Sequence, residues 1–147
     1  MEQLDAIDIL LVEDNPRDAE LTVRAFKKRN LANRLVVVED GAEALDFVFC
    51  RDKFSQREAT QHPKVVLLDL KLPKVNGLEV LRAIKSNEGT RMIPVVIFTS
   101  SQQDPDIKMA YALGANSYVV KPVQFDAFQD VMNQLGLYWL VVNQPSK

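Results

Sequence analysis

Residues 65–77 read VVLLDLKLPKVNG, and their first six are Val65, Val66, Leu67, Leu68, Asp69 and Leu70. An aliphatic run without polar alternation is the pattern of a strand buried on both faces, as in a parallel sheet. A carboxylate within such a run is costly unless it is paired or bound to a metal. The stretch therefore sets a fold and, at Asp69, a question about chemistry.

Four further runs lie along the chain: Ile7–Val12 (IDILLV), Leu35–Val38, Pro94–Thr99 (PVVIFT) and Ser117–Val120. Helical spacing fills the gaps. Asp14-Asn15 before Pro16 is a helix start, since proline suits a first turn; Ala19, Thr22, Val23 and Phe26 then recur up to Asn30. Ala42, Leu45 and Phe49 mark a second helix, Leu78, Leu81 and Ile84 a third, and Ile107, Ala110 and Leu113 a fourth that ends at Gly114. The last runs from Phe125 to Trp139, with Phe125, Phe128, Met132 and Leu135 read as sheet cover. Cys50–Pro63 is polar and aperiodic, and reads as an extended helix end or a surface insertion. Five runs alternating with five helices predict one α/β domain, a parallel sheet covered on both faces.

Composition agrees. With 147 residues, 47% hydrophobic and 26% charged, the chain suits a single soluble domain. A net charge of −2 lacks the basic footprint of a nucleic-acid binder. Cys50 is the only cysteine, which excludes an intrachain disulfide and a cysteine metal cluster. The opening MEQLDAIDILLVED has acids where a signal peptide needs bases, and its apolar run is too short to span a membrane. The expected location is cytoplasmic.

Sites on open α/β sheets form at the carboxyl ends of the strands. There the sequence places Glu13 and Asp14, Asp69, Thr99-Ser100 and Lys121-Pro122. Taken singly, the acids read as caps or loop residues, Thr99 as a strand end and Lys121 as a solvated lysine. Taken together they form an oxygen-only cluster suited to Mg²⁺ or Mn²⁺, with a lysine to meet a phosphoryl group and a carboxylate able to act as nucleophile.

In order, LLVEDN, VVLLDLKLPKVNG, PVVIFTSS and GANSYVVKP closely resemble the receiver domain of two-component response regulators, over nearly the whole chain. The resemblance implies a CheY-like, flavodoxin-like (βα)5 fold: a doubly wound, five-stranded parallel sheet of order 2-1-3-4-5. Residues 1–147 would form one receiver domain, with the last helix extended over about 136–147. Asp69 would accept the phosphoryl group. Glu13, Asp14, Asp69 and the backbone carbonyl of Lys71 would hold Mg²⁺, with Mn²⁺ as substitute, and Glu13 would act largely through water. Lys121 would pair with the phosphoryl group, and a cis Lys121–Pro122 bond is implied. Thr99 and Tyr118 would form the switch pair. Asn76 replaces the family's usual Asp before Gly77, and Lys71 and Ser101 occupy positions that tune phosphate lifetime in the family.

A narrower resemblance is to the single-domain regulators of cyanobacterial phytochrome histidine kinases. It rests on DNPRDAEL, LKLPKVNGLEVLRAIK, the insertion before Pro63 and the ending LYWLVVNQP. It implies a sensor histidine kinase of the phytochrome kind as donor, and a homodimer formed near the C-terminus. Leu137, Tyr138, Trp139 and Leu140, apolar nearly all round with Val141 and Val142, either fold back or meet a second copy. His62, the only histidine, precedes Pro63 and reads as a loop residue. With Lys147 as the last residue, the output is expected to pass through protein contacts, with no nucleic-acid or membrane partner and no activity beyond self-phosphorylation and self-dephosphorylation.

Three other readings compete. A haloacid-dehalogenase-type phosphatase needs a general acid two residues after its nucleophile, where Lys71 stands. A flavodoxin-like cofactor binder needs a phosphate-cradling loop after the first strand, where EDNPRD has acids and no glycine. A phosphorylation-independent pseudo-receiver or dimeric scaffold usually lacks one of the acids or the lysine, and all are present.

Overall fold

The computed structural model describes residues 8–28, 34–58 and 61–144. The strands are β1 (Ile9–Val12), β2 (Leu35–Val38), β3 (Val65–Leu68), β4 (Val95–Thr99) and β5 (Ser117–Val120). The helices are α1 (Pro16–Lys28), α2 (Gly41–Val48), α3 (Gly77–Ser86), α4 (Asp104–Ala112) and α5 (Phe125–Gly136). Ile7 and Asn30, expected bounds of the first strand and helix, and the tail end 145–147 lie outside the described residues.

All strand pairs are parallel, in the order β2-β1-β3-β4-β5. Strand alternation then divides the aliphatic runs between two cores. Leu10, Val12, Val66, Leu68, Val95 and Ile97 face α2, α3 and α4, packing with Phe47, Leu81 and Ile84. Ile9, Leu11, Val65, Leu67, Val96 and Phe98 face α1 and α5, packing with Phe26, Phe128 and Met132. This two-sided burial is why the runs lack polar alternation.

Side-chain caps start several helices. Asn15 Oδ1 accepts from the N–H groups of Arg17 and Asp18, Asp40 from Glu43, and Asn76 from Glu79. Asn76 thus does the capping work of the acid usual in the family.

The described part of the polar stretch, residues 50–58 and 61–63, is a surface insertion rather than a longer helix. α2 stops because Cys50 turns left-handed at φ 55°, and a short 3-10 turn, Asp52–Phe54, follows. Arg57 binds the insertion down: its guanidinium donates to the Phe47 carbonyl at 2.6 Å and the Gln61 carbonyl at 2.7 Å, and lies 4.0 Å from the Phe47 ring centre.

The C-terminal end departs from expectation in two ways. Phe125, expected in the core, is 52% exposed. It opens α5, and there it lines a groove with Arg24 and Lys28 of α1 instead of covering the sheet. Beyond α5 the backbone widens into a π-helical segment, Leu137–Val142. Trp139 and Leu140 pack against the α1/α5 core, whereas Leu137, Tyr138, Val141 and Val142 are exposed. Among the described residues no helix is long and apolar enough to cross a membrane.

Candidate functional site

Sheet hydrogen bonds continue past the strand ends and hold the expected residues in place. The N–H of Glu13 donates to Val38 at 3.0 Å, that of Asp69 to Val12 at 3.2 Å, and that of Lys121 to Thr99 at 2.7 Å. Asp69 therefore leaves β3 beside the switch point at β1, where strand order reverses. Gly77 seals the turn that follows. Its N–H donates to the Leu70 carbonyl at 2.8 Å, and a Cβ there would overlap the Asp69 carbonyl oxygen.

Lys121 is the hub. Its Nζ lies 2.7 Å from Glu13 Oε1, 2.8 Å from Asp69 Oδ2 and 3.0 Å from Asp18 Oδ2, with its side chain only 9% exposed. Burial alone would lower its proton affinity, but the hydrogen bonds and charges of Asp69 and Glu13 outweigh it, so Lys121 is held above the usual lysine range. Burial also pushes the Glu13 carboxyl up to about 7, although Lys121 pulls the other way. A buried ammonium is thus locked among carboxylates that keep it charged.

Oxygens of Glu13, Asp14 and Asp69 lie within 4.8 Å of one another, with Asp14 exposed and the other two buried. A hard, oxygen-only donor set open on one side fits Mg²⁺ or Mn²⁺, which keep several waters. Lys71 is exposed, and its N–H donates to Asp69 Oδ1 at 3.3 Å.

A second network leads away from the site. Thr99, fully buried, accepts the N–H of Ser101 at 3.4 Å. Ser101 Oγ donates to Asp106 Oδ2 on α4 at 2.6 Å, and the Tyr118 hydroxyl donates to the Ser101 carbonyl at 3.0 Å. Removal from water raises the Tyr118 phenol, and the charges of Asp106 and Asp69 add to this, against the Ser101 bond. The phenol stays a donor. Thr99 and Tyr118 are thus joined through one residue, Ser101.

Two site residues escaped the sequence reading, Asp18 and Asp106. Both sit in the first turn of a helix, where an acid reads as a dipole or capping residue. One expected feature is corrected: the Lys121–Pro122 bond is trans. The two forms of an X–Pro bond differ by only about 1 kcal/mol, so the surroundings decide. Here Lys121 reaches its three partners with the trans bond.

A two-sided parallel sheet carrying an acid pair, a single aspartate and a buried lysine at one edge defines a class, and family comparison agrees: residues 9–133 match the response regulator receiver domain, and the chain belongs to that family. Within it the chain is homologous to phytochrome response regulators. It superposes on the phosphorylated cyanobacterial phytochrome response regulator RcpA with TM-score 0.90 at 31% identity, covering 97% of this chain and 99% of that one. The bacteriophytochrome response regulator RtBRR is 50% identical, with TM-score 0.76, over 96% and 84% of the two chains. The probable methanogenesis regulatory protein FilR2 of Methanothrix harundinacea is 40% identical over 98% of this chain and 90% of its own length. Receiver domains are signalling proteins that interact with histidine kinases and downstream targets, and bind Mg²⁺ or Mn²⁺ at an acidic pocket.

Proposed function

We propose that Asp69 accepts a phosphoryl group from the phosphohistidine of a sensor kinase, and that the product changes which proteins this chain binds. The observation that carries the reading is the Asp69 carboxylate, held at 2.8 Å by a buried lysine and flanked by an acid pair. A carboxylate oxygen of Asp69 attacks phosphorus, the P–N bond of the donor breaks, and the histidine ring leaves. Lys121 would meet the negative charge that arrives with the phosphoryl group, a role its 2.8 Å contact with Asp69 supports. Glu13, Asp14, Asp69 and the Lys71 carbonyl would hold Mg²⁺, which when bound neutralises charge on the transferring group.

Thr99 and Tyr118 carry the change outward. A Thr99 hydroxyl drawn to the phosphoryl group would release the Ser101 N–H, and Tyr118 and Asp106 would feel the loop move. In this reading residues 1–147 act as one cytoplasmic receiver unit, without catalysis on other substrates. The likeness to RcpA and RtBRR favours a phytochrome kinase as donor. The exposed Leu137 and Tyr138, with Val141 and Val142, favour a homodimer through the C-terminal segment.

The test is to incubate the protein with Mg²⁺ and acetyl phosphate or beryllofluoride beside Asp69→Asn. Wild type responds and the variant does not; equal responses would end the reading.

A further inference from the structure

Asp18 is a fourth acid at the site, and it comes from an element that supplies none of the other three. It lies in the first turn of α1, and its Oδ2 accepts from Lys121 Nζ at 3.0 Å across 103 residues of sequence. An ammonium has three N–H donors. Oxygens of Glu13, Asp69 and Asp18 all stand within 3.0 Å of Nζ, so one acceptor is available for each.

Resting on the phosphoacceptor reading above, we propose that Asp18 is the positioning residue for Lys121, the partner that keeps its ammonium at Asp69 while the other two partners are drawn into the reaction. The three partners have different fates. Asp69 becomes the phosphorylated group. Glu13 belongs to the acids that would hold the metal, and a metal competes with the lysine for its oxygens. Asp18 stands outside that trio and keeps its acceptor throughout.

The local physics favours an anchor there. Lys121 follows β5 in a loop, and a four-carbon stem with several rotatable bonds does not hold its own end in place. Asp18 is rooted in a helix whose start Asn15 caps, and the N-terminal end of a helix favours a carboxylate. A fourth carboxylate by itself would repel an incoming phosphodonor. Bonded to Nζ, its charge is spent on the lysine. The same bond ties α1 to the β5–α5 loop across the phosphoacceptor.

The experiment uses the full chain as wild type, Asp18→Asn and Asp18→Glu. Asp69 phosphorylation by acetyl phosphate at saturating Mg²⁺ is resolved into its limiting rate and its half-saturation. The side-chain ¹⁵N resonance of Lys121 is followed in parallel, and Mg²⁺ affinity is measured by calorimetry. Asp18→Asn is expected to lower the limiting rate about tenfold, short of the roughly hundredfold that a 1 Å misplacement can cost. Its half-saturation and Mg²⁺ affinity stay within about twofold of wild type. The slowly exchanging Lys121 ammonium signal is lost in Asp18→Asn and recovered with part of the rate in Asp18→Glu. An Asp18→Asn protein with wild-type rate and an unchanged Lys121 resonance overturns the proposal. Failure of the phosphoacceptor reading has another signature, a wild type that takes no phosphoryl group on Asp69, and that overturns the proposal as well.

Discussion

Gly77 packs against the backbone carbonyl of Asp69 so closely that even a methyl group has no room between them. Alanine in a helix normally gains about 1 kcal/mol over glycine. Here the added Cβ must displace the backbone of Asp69 and Leu70, and overpacking of this kind costs about 1–3 kcal/mol. Gly77→Ala is expected to lose about 2 kcal/mol of unfolding free energy in urea titration and to slow phosphorylation of Asp69 as well. A more stable variant would show that α3 can move away from the site freely.

Ser101 joins Thr99 to α4. Ser101→Ala removes the 2.6 Å bond to Asp106, and a hydrogen bond to a partly exposed charged group contributes roughly 1–2 kcal/mol. Amide exchange should speed up in the first turn of α4, around Asp106 and Ile107, while α1 and β1 keep wild-type protection. Unchanged exchange in α4 would remove Ser101 from the path between phosphoacceptor and surface.

The acid cluster makes metal visible in stability. A ligand that binds only the folded chain stabilises it by about 2.7 kcal/mol at a hundredfold excess over Kd. Mg²⁺ should raise the melting temperature of wild type, EDTA should reverse the rise, and Asp14→Asn should abolish it. Asp14 is the informative position because it is exposed and carries no packing role. A full Mg²⁺ response in Asp14→Asn would place the metal elsewhere.

The exposed C-terminal side chains separate association from folding. Leu137→Glu with Val141→Glu charges the outward surface and leaves Trp139 and Leu140 in the core. Sedimentation velocity should show wild type as a dimer and the double variant as a folded monomer. An unchanged sedimentation coefficient would remove this segment from the interface.

The fold was legible because each strand of a two-sided parallel sheet writes itself as a continuous aliphatic run, and Val65–Leu68 shows it plainly. The candidate cluster was legible where a polar side chain follows a strand, as at Glu13, Asp69 and Lys121, or ends one, as at Thr99. Asp18 was not, because its role depends on a partner 103 residues away and a first-turn acid has an ordinary local explanation. Phe125 kept the inward period of α5, but period alone does not say where a helix overhangs its sheet. Leu137–Val142 are apolar on every side, so no periodicity could divide the packed Trp139 and Leu140 from their exposed neighbours.

The central claim is that the phosphoryl group ends on Asp69. The most direct measurement is site mapping: phosphorylate the chain with acetyl phosphate and Mg²⁺, reduce the acyl phosphate with borohydride, digest, and sequence the peptides by mass spectrometry. The account predicts reduction at Asp69 alone, absent without Mg²⁺ and absent in Lys121→Ala at matched times. Label on Glu13, Asp14 or Asp18, or none on Asp69 with Mg²⁺ present, would contradict it.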